Sequence, residues 1–163
     1  MSMKLEDRLA RREQWQPEIC SVAKVLDLLS TKTAFLALRE CFWGTARFED
    51  FVDRIGASAP AVSRALKQLE TAGVVERVPY REPGSRVRDE YRLTTAGEDL
   101  LPVLMALTQW GDKYLQNGSA PLGFVDSRTG RPVRVCVTSR GDVNEPTSSD
   151  IEIRARFTDG QQG

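Results

Sequence analysis

The chain has 163 residues, enough for one domain that buries roughly 70% of its unfolded surface. Its 23 Lys and Arg balance 23 Asp and Glu, with a pI near 6.4, which excludes a sequence-blind basic coat and leaves room for one local basic face. Histidine is absent, and with it Ser-His-Asp and Cys-His nucleophiles and imidazole zinc sites. GxGxxG and P-loop motifs are absent too, so no catalytic residue, metal site or cofactor is expected.

Lys4 to Trp15 (KLEDRLARREQW) has only Leu5 and Leu9 as a thin apolar edge. It reads as a frayed terminus or as an arm anchored on a partner subunit by Trp15. The N-terminus lacks the apolar core of a signal peptide. Beyond Pro17, Cys20–Ser30 forms a helix with Val22, Val25, Leu26 and Leu29 on one face. Thr31 or Thr33 caps the next, Lys32–Gly44, whose Phe35, Leu36, Leu38, Phe42 and Trp43 suit a central core helix. Arg39 and Glu40 fall on its expected exposed side.

Arg47–Gly56 places Phe48, Phe51, Val52 and Ile55 at helical spacing and ends on glycine. In Ser58–Gly73, Val62, Ala65, Leu66, Leu69 and Ala72 mark a buried face. Ser58 is the expected N-cap, Pro60 suits the first turn and Gly73 the C-terminal cap. Two such helices around a short turn make a helix-turn-helix. Val74–Tyr80 and Glu90–Thr94 read as strands flanking a loop broken by Pro83 and Gly84, which adds a wing. From Ser58 to Arg88, six cations oppose three acids in a chain of zero net charge. That concentration suits phosphate contact. The expected DNA-facing residues are Ser58, Ser63, Arg64, Lys67, Gln68 and Thr71 from the helix, with Arg81, Arg86 and Arg88 from the wing.

Thr95 and Glu98 form a T-A-G-E capping box that opens a long helix to Leu115, bent at Pro102. Leu100, Val103, Leu104, Leu107, Trp110 and Tyr114 give it an apolar face too broad for a small domain, so a homodimer interface is expected there. The run Leu100–Leu107 is too short to span a bilayer, and no membrane partner is expected. Pro121–Val137 reads as two strands around a Ser127–Arg131 turn, and Ile151–Phe157 as a third. The fold expected is thus α+β, mainly α: a winged helix-turn-helix with a long C-terminal dimerisation helix and a small C-terminal β appendage. Its parts are an arm at 1–19, the DNA-binding and dimerisation domain at 20–118, and the appendage and tail at 119–163.

The three cysteines, Cys20, Cys41 and Cys136, have neither disulfide-framework nor zinc spacing, so a reducing, cytoplasmic setting is expected. Cys41 and Cys136 sit among apolar residues and read as inert core.

From about Cys20 to Leu115 the chain resembles HxlR-type winged-helix transcriptional regulators. The likeness rests on CSVAKVLDLLSTKTAFLALRECFWGTARFEDF, on SRALKQLETAGVVERVPYREPGSRVRDEYRLTTAGEDLLPVL and on TQWGDKYL, with VPYREPGSRVRDEYRLT the most specific part. It implies a dimer of the N-terminal and long C-terminal helices on an inverted-repeat operator in double-stranded DNA, with repression the usual outcome. Many relatives carry arginine where this chain has Ala65, so base preference does not carry over. Cys20 matches the family's cysteine before the first helix, which in some members senses electrophiles or oxidants. A winged-helix protein–protein module with an acidic partner is the alternative function. A third reading, compatible with DNA-binding regulation, is a small-molecule effector site between the long helix and the appendage, though no residue set identifies the ligand.

Overall fold

The computed structural model describes residues 19–81, 87–116, 119–138 and 146–156. The expected arm Lys4–Trp15, Arg86 at the wing tip and the end of the third expected strand at Phe157 lie outside them. Among the described residues four helices come first: α1 (Ser21–Leu28), α2 (Lys32–Phe42), α3 (Phe48–Ile55) and α4 (Ala59–Thr71). α2 packs on both α3 and α4. Its alanines, Ala34 and Ala37, are fully buried and let the neighbouring helices approach closely. Leu38, Phe51, Val62, Ala65, Leu66 and Leu69 complete the helical core, which Val74 and Val75 seal from below. Truncating a residue such as Leu66 to alanine costs about 2–5 kcal/mol in cores of this kind.

Local chemistry sets the helix ends. Thr31 Oγ1 accepts from the Ala34 amide at 3.1 Å, the expected cap of α2. α4 ends in a Schellman turn: Gly73, at φ 71°, donates to Glu70 O at 3.0 Å, and Val74 donates to Leu69 O at 2.9 Å. Ser58 does occupy the N-cap position of α4, but its hydroxyl makes no capping hydrogen bond there.

Glu40 corrects the expectation of an exposed pair on α2, because its side chain is buried. Arg39 Nη2 donates to Glu40 Oε1 at 2.6 Å, and Thr45 Oγ1 donates to Glu40 Oε2 at 2.9 Å. Arg54 of α3 donates in turn to Thr45 Oγ1 at 2.7 Å. A buried carboxylate is tolerated only with such partners. The network therefore ties α2, the following turn and α3 together.

Strands β1 (Val75–Tyr80) and β2 (Arg88–Leu93) form the antiparallel wing, with Val75 opposite Leu93 and Tyr80 opposite Arg88. The Tyr91 amide donates to Ala46 O at 2.8 Å, which anchors β2 to the α2–α3 connection. The Tyr91 ring meets Phe51 edge-on at 6.0 Å.

The long helix expected from Thr95 is two helices, α5 (Thr95–Glu98) and α6 (Leu101–Tyr114). The chain breaks at Asp99–Leu100, immediately before Pro102 in the first turn of α6. The cap of α5 is Thr94 rather than Thr95: its hydroxyl accepts from the Gly97 amide and donates to Gly73 O. Gly97 is needed for this approach, since a Cβ there would lie 2.2 Å from Val74 O.

Two of the six expected interface residues face inward. Leu104 is buried, and Leu100 packs against the core. Val103, Leu107, Trp110 and Tyr114, spaced four, three and four apart, stay exposed in one stripe, with Trp110 and Tyr114 rings 5.3 Å apart. On α1, which buries no residue, Val22 and Leu26 are likewise exposed.

The appendage consists of β3 (Leu122–Asp126) paired antiparallel with β4 (Ile151–Ala155). Val133–Val137, expected as a strand, is not one; a single bridge joins Pro132 to Val125. The Gln109 side chain of α6 takes the place of a partner strand. Its Nε2 donates to Val135 O at 3.0 Å and its Oε1 accepts from Val135 N at 2.6 Å. Ser148 donates to Glu98 at the end of α5. The appendage thus docks on the C-terminal helices of its own chain. Cys136, expected in the core, is exposed.

Candidate nucleic-acid interface

With Val62, Ala65, Leu66 and Leu69 turned into the core, the helical period leaves Ser63, Arg64, Lys67 and Thr71 of α4 in solvent. They line a groove of about 680 Å³ whose other wall includes Leu28 at the end of α1. Ser58 is exposed where α4 begins. Gln68, grouped with these residues by sequence, is not open to solvent in the same way. Its Nε2 donates to the carbonyls of Asp27 at 3.0 Å and Leu28 at 2.8 Å, so it fastens α4 to α1.

Charge on this surface is unevenly engaged. Glu70 accepts from Lys67 Nζ at 3.2 Å and from Arg77 Nη2 of β1 at 3.0 Å. The hydrogen bond from Lys67 and the charge of Arg77 hold its carboxyl below the usual range. Glu70 therefore stays ionised and joins the outer face of α4 to the base of the wing. Arg64 makes no hydrogen bond or ion pair among the described residues.

At the wing, Arg81 and Arg88 are exposed, and Arg88 lies 3.9 Å from Glu49 of α3. Two further cations were not singled out from sequence. Arg47, the residue before α3, lies over the Tyr80 ring at 4.8 Å, and Arg77 over Tyr91 at 5.6 Å. Arg47, Tyr80 and Arg88 line a small cleft of about 240 Å³ beside the N-terminus of α3. The pairing of β1 with β2 sets Tyr80 beside Arg88, and the Tyr91–Ala46 hydrogen bond brings Arg47 to them.

The three thiols differ. Cys20, half-buried, occupies the N-cap position of α1. Burial, with the Glu40 charge beside it, pushes the Cys41 thiol up to about 12, which disfavours its reactive thiolate. No described helix is long and apolar enough to cross a membrane.

Residues 28–119, which span α2 through α6 and the wing, match the family model of the HxlR-like helix-turn-helix. The chain belongs to this HxlR-like family. An uncharacterised HTH-type transcriptional regulator of Mycobacterium tuberculosis, Rv3095, is 40% identical over 101 residues, covering 62% of this chain and 63% of that protein. The chain therefore spans just under two thirds of the length of that relative. Another regulator so described, sll1512 of Synechocystis, is 39% identical over 102 residues, covering 62% of this chain and 74% of its own length. Both relatives are described as HTH-type transcriptional regulators.

Among solved structures, PA1607, a putative transcription factor, superposes with a TM-score of 0.66 at 33% identity over 76% of this chain and 85% of its own. The reduced form of the Bacillus subtilis regulator YodB matches at 0.52 and 26% identity, over 61% of this chain and 98% of its own. The segment beyond residue 119 lies outside the family match.

Proposed function

We propose that the chain is a sequence-specific DNA-binding transcriptional regulator, a repressor, that acts as a homodimer on an inverted-repeat operator. The observation that carries this reading is the Glu70 bridge between Lys67 of α4 and Arg77 of β1, which makes helix and wing one surface beside Arg64, unpaired among the described residues. Ser63 and Arg64 read base edges in the major groove, while Arg81 and Arg88, joined by Arg47, hold phosphates. Arg64 suits bidentate contact with a guanine, worth about 1–3 kcal/mol of discrimination. The stripe Val103, Leu107, Trp110 and Tyr114, with Val22 and Leu26 of α1, supports dimerisation, because an apolar patch of this kind is normally covered. A two-fold dimer spaces its half-sites by about one helical turn or a multiple of it. Cys20 is the thiol through which an electrophile acts on this dimer, since it borders the exposed α1.

The test is a gel shift on the DNA upstream of the protein's own gene and on a genomic fragment pool, across a salt series. Specific retention that falls steeply with salt is expected. Arg64→Ala relaxes base preference, and Cys20→Ser removes any release by electrophile. No retention on any fragment overturns the reading in favour of a protein–protein module.

A further inference from the structure

α6 and the appendage enclose a second cleft, of about 420 Å³, on the side of α6 away from its exposed apolar stripe. Its volume falls in the range of small-molecule sites. Half-buried Leu122, Phe124 and Val133 supply apolar wall, and Arg134 and Arg156 bring two cations beside the acid Asp112, while the Lys113 ammonium lies over the Tyr114 ring at 4.9 Å.

Among the described arginines of the appendage, Arg131 lies outside the cleft without a side-chain ion pair or hydrogen bond, and the other four divide by position. Arg154, outside the cleft, is paired with Glu152 at 2.9 Å, and Arg128 lies 4.0 Å from Asp126. Arg134 and Arg156, which line the cleft, have no ion pair or side-chain hydrogen bond among the described residues. Arg156 is also placed deliberately by the backbone. Its guanidinium lies against Gly123 of β3, where a Cβ would come within 2.6 Å of Nε and 2.9 Å of Nη2. Gly123 thus lets a planar cation rest on the sheet at the wall of an apolar cleft. Gln109, which pins Val135, holds the opposite lip to α6.

We propose that this cleft, with Arg134 and Arg156 unpaired among the described residues beside Leu122, Phe124 and Val133, binds a small organic acid: a carboxylate carried on an apolar body. The guanidinium fork matches a carboxylate, and the apolar wall takes the rest of the ligand. Much of this site lies beyond residue 119, outside the family match. It stands independently of DNA binding.

The test is isothermal titration of the full chain with benzoate and hexanoate, using neutral benzamide and inorganic phosphate as controls. Saturable binding of at least one of the two carboxylates is expected, with neither control competing. Arg156→Gln and Arg134→Gln, both solvent-facing changes, each weaken it about tenfold, the loss of one charge-assisted contact. Gly123→Ala weakens it as well by displacing Arg156, whereas Arg154→Gln leaves it unchanged. Circular dichroism of each variant separates lost binding from lost fold. Failure of both carboxylates to bind, equal binding of benzamide, or indifference to Arg134→Gln and Arg156→Gln in folded protein overturns the proposal.

Discussion

The side-chain amide of Gln68 donates to the backbone carbonyl of Leu28 at 2.8 Å, across the join between α4 and the end of α1. A residue that the helical period assigns to the outward face is thereby a clamp on an orphan carbonyl at a helix C-terminus. Gln68→Ala should destabilise the chain by about 1 kcal/mol in denaturant unfolding. It should weaken DNA binding to all sequences alike. A change of preferred operator bases in site selection would instead make Gln68 a reader.

Glu70 restrains Lys67 and Arg77 in the free protein. Glu70→Gln should release both cations to phosphates. The slope of log affinity against log salt should then steepen by about one to two, as each added phosphate contact contributes about 0.9. An unchanged slope would mean that neither cation reaches the DNA.

Glu40 gathers Arg39 and Thr45 in a buried position, with Arg54 attached through Thr45. Glu40→Ala removes the shared acceptor and should cost about 3 kcal/mol, the scale of breaking a buried charged pair. Thermal melting reads it directly. A loss below about 1 kcal/mol would class the network with surface ion pairs.

Leu104 and Leu107 are one turn apart, yet one is buried and the other exposed. Leu107→Glu should turn dimer into monomer in sedimentation while keeping the helical circular dichroism. Leu104→Glu should unfold the chain, because it buries an unpartnered charge. A Leu107→Glu protein that remains dimeric would move the interface elsewhere.

Burial lifts the folded Cys41 thiol from 9.0 to about 12. Below pH 9.0 both folded and unfolded thiols are protonated, and the group adds no pH dependence. Between 9.0 and about 12 only the unfolded thiol ionises, so stability should fall as pH rises through that window. Cys41→Ser should flatten this part of the stability profile. Near neutral pH, exposed Cys136 should be alkylated well before Cys41, as peptide mapping by mass spectrometry would record.

The helices and the wing were legible because their cause is local. Val62, Ala65, Leu66 and Leu69 repeat at the helical period and are all buried, and Gly73 stops α4 where the turn requires positive φ. Arg64 and Lys67 follow as outward residues from the same period. The alternation of Val133, Val135 and Val137 is equally regular, but a strand needs a hydrogen-bonding neighbour along its length, and Gln109 supplies two hydrogen bonds at Val135 alone. Periodicity marks what a segment can pair with, not what stands beside it.

By itself, then, the sequence determined which helical faces are apolar, where turns fall and where positive charge gathers. The tertiary structure alone decided that Leu100 and Leu104 serve the chain's own interior while Val103 and Leu107 remain outside. It also decided that Glu40 is buried and that Arg156 rests on Gly123. Hydrophobic burial follows a short repeat written along one helix. A polar partner is chosen by distance between segments remote in the chain, and that distance exists only once the helices and sheets have packed.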